Sequence, residues 1–151
     1  MGGDGDAEKV RQVVFACVRN GGRSVISRLL TEHYARGRVV ALSAGTQPGE
    51  RIHPEVAIAL ERLGLDTSQE QPKQLTRDMI AASDLAVTLG CGEQCPYVAG
   101  VRYVDWPVAD PAGQEDATVR AIIADLDRRV RELLLDLVPD IELPPSIVEG
   151  G

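Results

Sequence analysis

The stretch with the most chemical content is Cys17-Val18-Arg19-Asn20-Gly21-Gly22-Arg23-Ser24. It separates an apolar, β-branched run (Gln12 to Ala16) from a segment of helical periodicity, so it reads as a strand-to-helix turn. There a helix N-terminus offers unpaired N–H groups and the positive end of its dipole to an anion. Gly21 and Gly22 are expected to take positive φ, letting several amides converge on one oxyanion. Arg23 adds a fork of donors matched to two oxygens of a tetrahedral anion. The same field favours the thiolate of Cys17, the form that attacks. Ser24 is placed to donate a hydrogen bond to that sulfur, and Asn20 to pin the loop. Val18 and Arg19 complete it, with Arg19 turned outward towards an incoming oxyanion or a thiol cofactor's carboxylate. The bland alternative is an inert thiol at a strand end. Strand, helix, paired glycines and serine together outweigh it.

A thiolate that attacks an oxyanion must expel an oxygen, and a general acid eases that departure. Asp110, with its backbone restrained by Pro111, is the candidate, although Asp-Pro also commonly opens a turn. Asp105, beside Trp106, reads as structural. Cys91 and Cys95 follow another apolar run, and three readings of them stand open. They are thiols that resolve an adduct on Cys17, ligands to zinc, or reduced structural cysteines. With only His33 and His53 to complete a ligand set, zinc is the poorest of the three, and no metal is expected. Both histidines read as structural, and Lys73 as a solvated loop residue.

The elements that must position these residues follow from pattern. Strands are expected at 12–16, 39–42, 84–89 and 101–104. A helix starts at Ser24 and is stopped by Gly37. A second spans 53–63 with Pro54 in its first turn, and a short third spans 76–82 with Thr76 as its N-cap. Val119, Ile122, Ile123, Leu126, Val130, Leu133, Leu134 and Leu137 mark the longest helix, which Pro139 stops. Strands alternating with helices predict one α/β/α domain with a four-stranded parallel sheet. Ligands in such sheets bind beyond the C-terminal strand ends, where Cys17, Cys91 and Asp110 fall. Residues 1–10 are expected to be a flexible N-terminus and 139–151, with their prolines and terminal glycines, a disordered tail.

Composition narrows the partners. A chain of 151 residues with 44% hydrophobic residues fits one soluble domain. A net charge of -7 argues against nucleic acid or an anionic membrane as a bulk partner. No apolar run approaches the roughly 20 residues of a membrane span, and residues 1–9 resemble no signal peptide. A cytoplasmic location is expected, and an odd number of cysteines makes no disulfide framework.

The loop CVRNGGRS resembles the anion loop of the low-molecular-weight protein tyrosine phosphatases and of the arsenate reductases that share their fold. SAGT at 43–46, HPE at 53–55, LGLD at 63–66, VTLGCGEQCP at 87–96 and DWPVADPAG at 105–113 fall in the family's order. The resemblance spans residues 11 to 138. It implies Cys17 as nucleophile, Arg23 as oxyanion ligand and Asp110 as acid. Phosphatases of the family usually follow Asp-Pro with aromatics that wall a phosphotyrosine slot, whereas Ala112 and Gly113 stand here, so arsenate is the expected substrate. A phosphatase with an open rim and a non-catalytic oxyanion sensor are the rivals. Reductases that relay electrons to thioredoxin usually carry their second and third cysteines farther apart than Cys91 and Cys95. The VTLGCGEQCP form is more similar to actinobacterial enzymes that pass arsenic to mycothiol, regenerated by a mycoredoxin. The expectation is therefore no tightly bound cofactor and a thiol co-substrate, mycothiol ahead of a thioredoxin relay.

Overall fold

The computed structural model describes residues 10–148. Its elements are β1 (Arg11–Cys17), α1 (Arg23–Ala35), β2 (Val39–Gly45), α2 (Pro54–Arg62), α3 (Arg77–Ala81), β3 (Leu85–Thr88), a 3-10 turn (Gly92–Gln94), β4 (Arg102–Asp105) and α4 (Asp116–Leu137). The four strands lie in the order β2-β1-β3-β4, and each neighbouring pair is parallel. This is the expected three-layer α/β architecture. No helix among the described residues is long and apolar enough to cross a membrane.

β1 is central, so both its faces are covered and its residues read as a continuous apolar run. Its side chains alternate between two cores. Val13, Phe15 and Cys17 join the larger cluster with α1, α2 and α4, while Val14 and Ala16 join the smaller one with Ile80 of α3 and Cys91. That alternation aims Cys17 at the layer that holds α1. Thr76 caps α3 as expected, its hydroxyl accepting from the Met79 amide at 3.1 Å. β2 runs on through Ser43–Gly45, beyond the expected end at 42, because those residues pair with the last residues of β1.

The tail departs from expectation. Residues 139–148 are ordered against the larger core, where Ile141 and Val148 are buried. A polar cluster built on the buried Tyr34 and Asp127 holds them there. Tyr34 of α1 donates to Asp127 of α4 at 2.5 Å, and Ser146 donates to the other Asp127 oxygen at 2.7 Å. The Ile147 amide donates to the Tyr34 oxygen at 3.0 Å, and Arg131 donates to the Pro144 carbonyl at 2.8 Å. Prolines remove amide donors without preventing packing, and Ile141, Leu143, Ile147 and Val148 supply the apolar surface. Residues 1–9 and 149–151 lie outside the described residues, as do nearly all of the expected flexible N-terminus and the last three tail positions.

Burial, and then the hydrogen bond to Asp127, push the Tyr34 hydroxyl above its ordinary range. Tyr34→Phe leaves the buried Asp127 carboxylate without that donor. It should lower stability by about 1–3 kcal/mol in urea unfolding. An unchanged midpoint would show that the latch contributes nothing to the fold.

Candidate active site

Cys17 ends β1 and is 3% exposed. Beyond it the chain is fixed by outward hydrogen bonds. The carbonyls of Cys17, Val18, Arg19 and Gly21 accept from the amides of Thr46, Gln47, Gly49 and His53 at 2.8–3.0 Å. The peptide bonds of the described residues are all trans, so the N–H that follows each of these carbonyls points the other way. The amides of Val18, Arg19, Asn20 and Gly22 therefore face inward. The Asn20 amide lies 3.2 Å from the Cys17 sulfur, as this geometry requires.

A buried polar chain supports the sulfur. The Lys73 amide donates to Asn20 Oδ1 at 3.0 Å, Asn20 Nδ2 donates to Ser24 Oγ at 2.8 Å, and Ser24 Oγ lies 2.8 Å from Cys17 Sγ. Because Asn20 fills an acceptor position on the Ser24 oxygen, the serine hydrogen is free to point at sulfur. Two donors thus converge on the Cys17 sulfur.

The two glycines differ from expectation. Neither Gly21 nor Gly22 takes positive φ. Asn20 does, at 54°, held by its own side-chain bonds. The glycines supply space instead. A Cβ on Gly21 would meet the His53 ring at 3.0 Å, and one on Gly22 would meet Pro111 Cγ at 2.8 Å. The loop is clamped between α2's first residues and the Asp110 loop.

Arg23 opens α1 with its side chain 15% exposed. Its Nη1 donates to the Val108 carbonyl at 2.9 Å, and Nη2 lies 3.9 Å from Asp110 Oδ2. The guanidinium lies flat against Gly90, where a Cβ would come within 2.8–3.0 Å of it. Asp110 is 58% exposed in its side chain, and its Oδ1 accepts from the Ala112 amide at 3.0 Å. Pro111 is buried. The Gly113 amide donates to Glu55 at the start of α2, and that hydrogen bond holds the Glu55 carboxyl below the usual carboxylate range. The loop that carries Asp110 is thereby tied to the start of α2.

Cys17, Val18, Arg19, Gly21, Gly22, Arg23, His53 and Asp110 enclose a cavity of about 250 Å³. It opens past Ala112 into a wider groove flanked by Arg51. Sequence reasoning missed His53, Gly90, Glu55 and the Val108 carbonyl as parts of the site. The paired glycines signalled a close neighbour without saying which residue it was. Asp105 is not in the cavity. It accepts from Thr88 Oγ1 at 2.7 Å and ties β4 to β3.

Cys91 and Cys95 are joined in a disulfide with their Cα atoms 5.6 Å apart, and Cys17 is a free thiol. Cys91 lies in the smaller core, its sulfur 3.8 Å from the Ala16 carbonyl, so the sheet separates it from Cys17. Gly90 and Gly92, with φ of 82° and 54°, flank it. Gln94 Oε1 accepts from Thr46 Oγ1 and Gln47 Nε2, each at 3.2 Å, tying this loop to the segment that holds the anion loop.

The support of the sulfur is testable. Ser24→Ala removes one of two donors and should slow alkylation of Cys17 by iodoacetamide near neutral pH about tenfold, the scale of a hydrogen bond to a charged group. Equal alkylation rates would exclude Ser24 from this role.

Comparison with known proteins follows the same outline. The family model for low molecular weight phosphotyrosine protein phosphatase matches residues 12–142. A putative arsenate reductase of Halobacterium salinarum is 32% identical over 139 residues, 89% of this chain and 98% of that protein. The glutaredoxin arsenate reductase of Synechocystis is 27% identical over 128 residues, covering 83% and 97%. The solved structure of a thioredoxin-dependent arsenate reductase from Corynebacterium glutamicum superposes with a TM-score of 0.75 at 41% identity. That match covers 89% of this chain, which spans only 65% of the Corynebacterium protein. With the anion loop, the strand order and the full-length matches in agreement, the chain belongs to the low molecular weight phosphotyrosine protein phosphatase family.

Proposed function

We propose that the protein is an arsenate reductase in which Cys17 carries arsenic and the Cys91–Cys95 pair supplies the electrons. The observation that carries this reading is a free thiol in an oxyanion cradle, with two further cysteines bonded one strand away. Inward amides and Arg23 hold the arsenate oxygens. The Cys17 thiolate attacks arsenic, an As–O bond breaks, and Asp110 protonates the departing oxygen, which leaves as water. Cys91 then attacks the Cys17 sulfur. An S–S bond forms, the S–As pair of electrons passes to arsenic, and arsenite leaves. Cys95 attacks Cys91 in turn, freeing Cys17 as thiolate and leaving Cys91–Cys95 as the disulfide. An external dithiol returns the two electrons. In this reading the loop turns about Gly90 and Gly92 to bring Cys91 to Cys17.

The names of the relatives support both halves, since they are called arsenate reductases and one is called thioredoxin-dependent. The mycothiol route that the VTLGCGEQCP resemblance implies is the second reading. The observation favouring it is that the cavity lined by Cys17 shares Arg19, His53 and Asp110 with the wider groove beside Ala112, a route by which a small thiol would reach the sulfur. A phosphatase or a pure sensor is less favoured. No aromatic follows Pro111 to wall an aryl phosphate, and a sensor needs no carboxyl beside Arg23.

Asp110→Asn should keep phosphate as a competitive ligand while slowing arsenate turnover by about 10² to 10⁴-fold, the scale of lost general-acid help. A normal rate in that variant beside a crippled Asp105→Asn would move the acid to Asp105. Replacing both Cys91 and Cys95 by serine should abolish multiple turnover with thioredoxin while leaving one alkylatable thiol at Cys17. Full turnover of that double variant with mycothiol and a mycoredoxin would establish the external-thiol route instead.

A further inference from the structure

Resting on the relay reading above, we infer that the loop carrying Tyr97, stacked on Tyr103, is the docking surface for the protein dithiol that reduces Cys91–Cys95. The two cysteines of the disulfide differ in burial. Cys91 is 4% exposed and its sulfur lies against the Ala16 carbonyl, whereas Cys95 is only half-buried. A reductant thiolate must approach in line with the S–S bond at Cys95, and a protein that brings it there must cover the residues next to Cys95.

Two residues beyond Cys95 stands Tyr97, at 70% the most exposed large apolar side chain among the described residues. Single exposed apolar residues are ordinary on protein surfaces, and this one is distinguished by how it is held. Its ring stacks on Tyr103 with centroids 5.4 Å apart. The Tyr103 hydroxyl donates to the Pro96 carbonyl at 3.0 Å and accepts from the Val98 amide at 2.7 Å, bracketing Tyr97 on both sides. Arg77 donates to the Tyr97 carbonyl at 3.1 Å. The backbone beneath the ring is therefore fixed while one face of the ring meets solvent. A rigid, amphipathic aromatic with little conformational entropy left to lose is the type of residue that anchors protein interfaces. Pinning by β4 and α3 also keeps the platform in place while the glycine-flanked segment 90–92 moves.

In the reduction the partner's thiolate attacks Cys95 Sγ, forming a mixed disulfide, and Cys91 departs as thiolate. The partner's second thiolate then attacks its own sulfur in that mixed disulfide and releases Cys95 as thiolate. Two electrons pass from the partner dithiol, which ends as a disulfide.

The test is steady-state arsenate reduction by the full chain with thioredoxin, referenced in every variant to the rate with dithiothreitol, which needs no docking surface. In Tyr97→Ser the KM for thioredoxin should rise about tenfold, and the thioredoxin-to-dithiothreitol ratio of kcat/KM should fall to match. Tyr97→Phe, which keeps the ring, should stay within about twofold of wild type. Leu135→Ser, on the exposed face of α4, controls for general loss of surface apolarity and should leave the ratio unchanged. An unchanged ratio in Tyr97→Ser, or an equal loss with both reductants, overturns the docking surface and leaves the relay intact. Wild-type turnover with dithiothreitol but none with thioredoxin overturns the docking surface alone, whereas thioredoxin-driven turnover that survives replacement of both Cys91 and Cys95 by serine overturns relay and docking surface together.

Discussion

The site depends on where the carbonyls of residues 17, 18, 19 and 21 find their partners. Each is bonded outward to the segment between β2 and α2, which turns the complementary amides inward around the sulfur. Without that second segment the anion loop would have no reason to present several N–H groups to one point. Four like dipoles converging on a small cavity are unfavourable unless something holds them and an anion fills the centre. The backbone ladder between the two loops supplies the first condition, and an anion at the centre meets the second.

The remaining parts are arranged around that cradle by close approach. The pair Gly21-Gly22 admits the His53 ring and Pro111, so the start of α2 and the acid loop both rest on the anion loop. Gly90 admits the Arg23 guanidinium, which then reaches Val108 and Asp110. Glu55 returns from α2 to the Gly113 amide and closes the ring of contacts. Asp110, Arg23 and Cys17 are held by different elements, yet each touches a neighbour that touches the next. A site on rigid strand and helix ends keeps its geometry better than one on free loops.

The loop that carries Cys91 and Cys95 is a separate layer of the structure. Alternation along β1 sends Cys17 to one core, while Cys91 falls in the other beneath Ala16. The sheet thus keeps the two sulfurs apart in the oxidised pair, and any direct exchange requires movement of residues 90–92. Glycines at positive φ on both sides of Cys91 concentrate that freedom at one point, while the Tyr97–Tyr103 platform beyond it stays pinned.

Much of this was legible in the residues alone. β1 announced itself as a buried strand, α4 by its apolar stripe, and the Cys17–Arg23 loop by glycine, arginine and serine at fixed spacing between them. These are local signals, and the neighbouring residues in sequence are the ones that interact. The misreadings share one cause. Gly21 and Gly22 were assigned torsional freedom when their role is to leave room for His53 and Pro111, residues more than 30 and about 90 positions away. His53 read as structural because nothing near it in sequence is chemical. The tail read as disordered because its prolines are visible and its partners, Tyr34 and Asp127, are far off in the chain. Resolving thiols, zinc ligands and reduced structural cysteines stand open for Cys91 and Cys95 from spacing alone, and the loop's turn joins them in a disulfide with their Cα atoms 5.6 Å apart. Residue type and short spacing were enough to mark which segments are strand or helix and to single out Cys17, Arg23 and Asp110, which line one cavity. Only the tertiary structure decided what stands against each glycine, which carbonyls are bonded away from the cavity, and on which side of the sheet each sulfur lies, because those depend on contacts between distant segments.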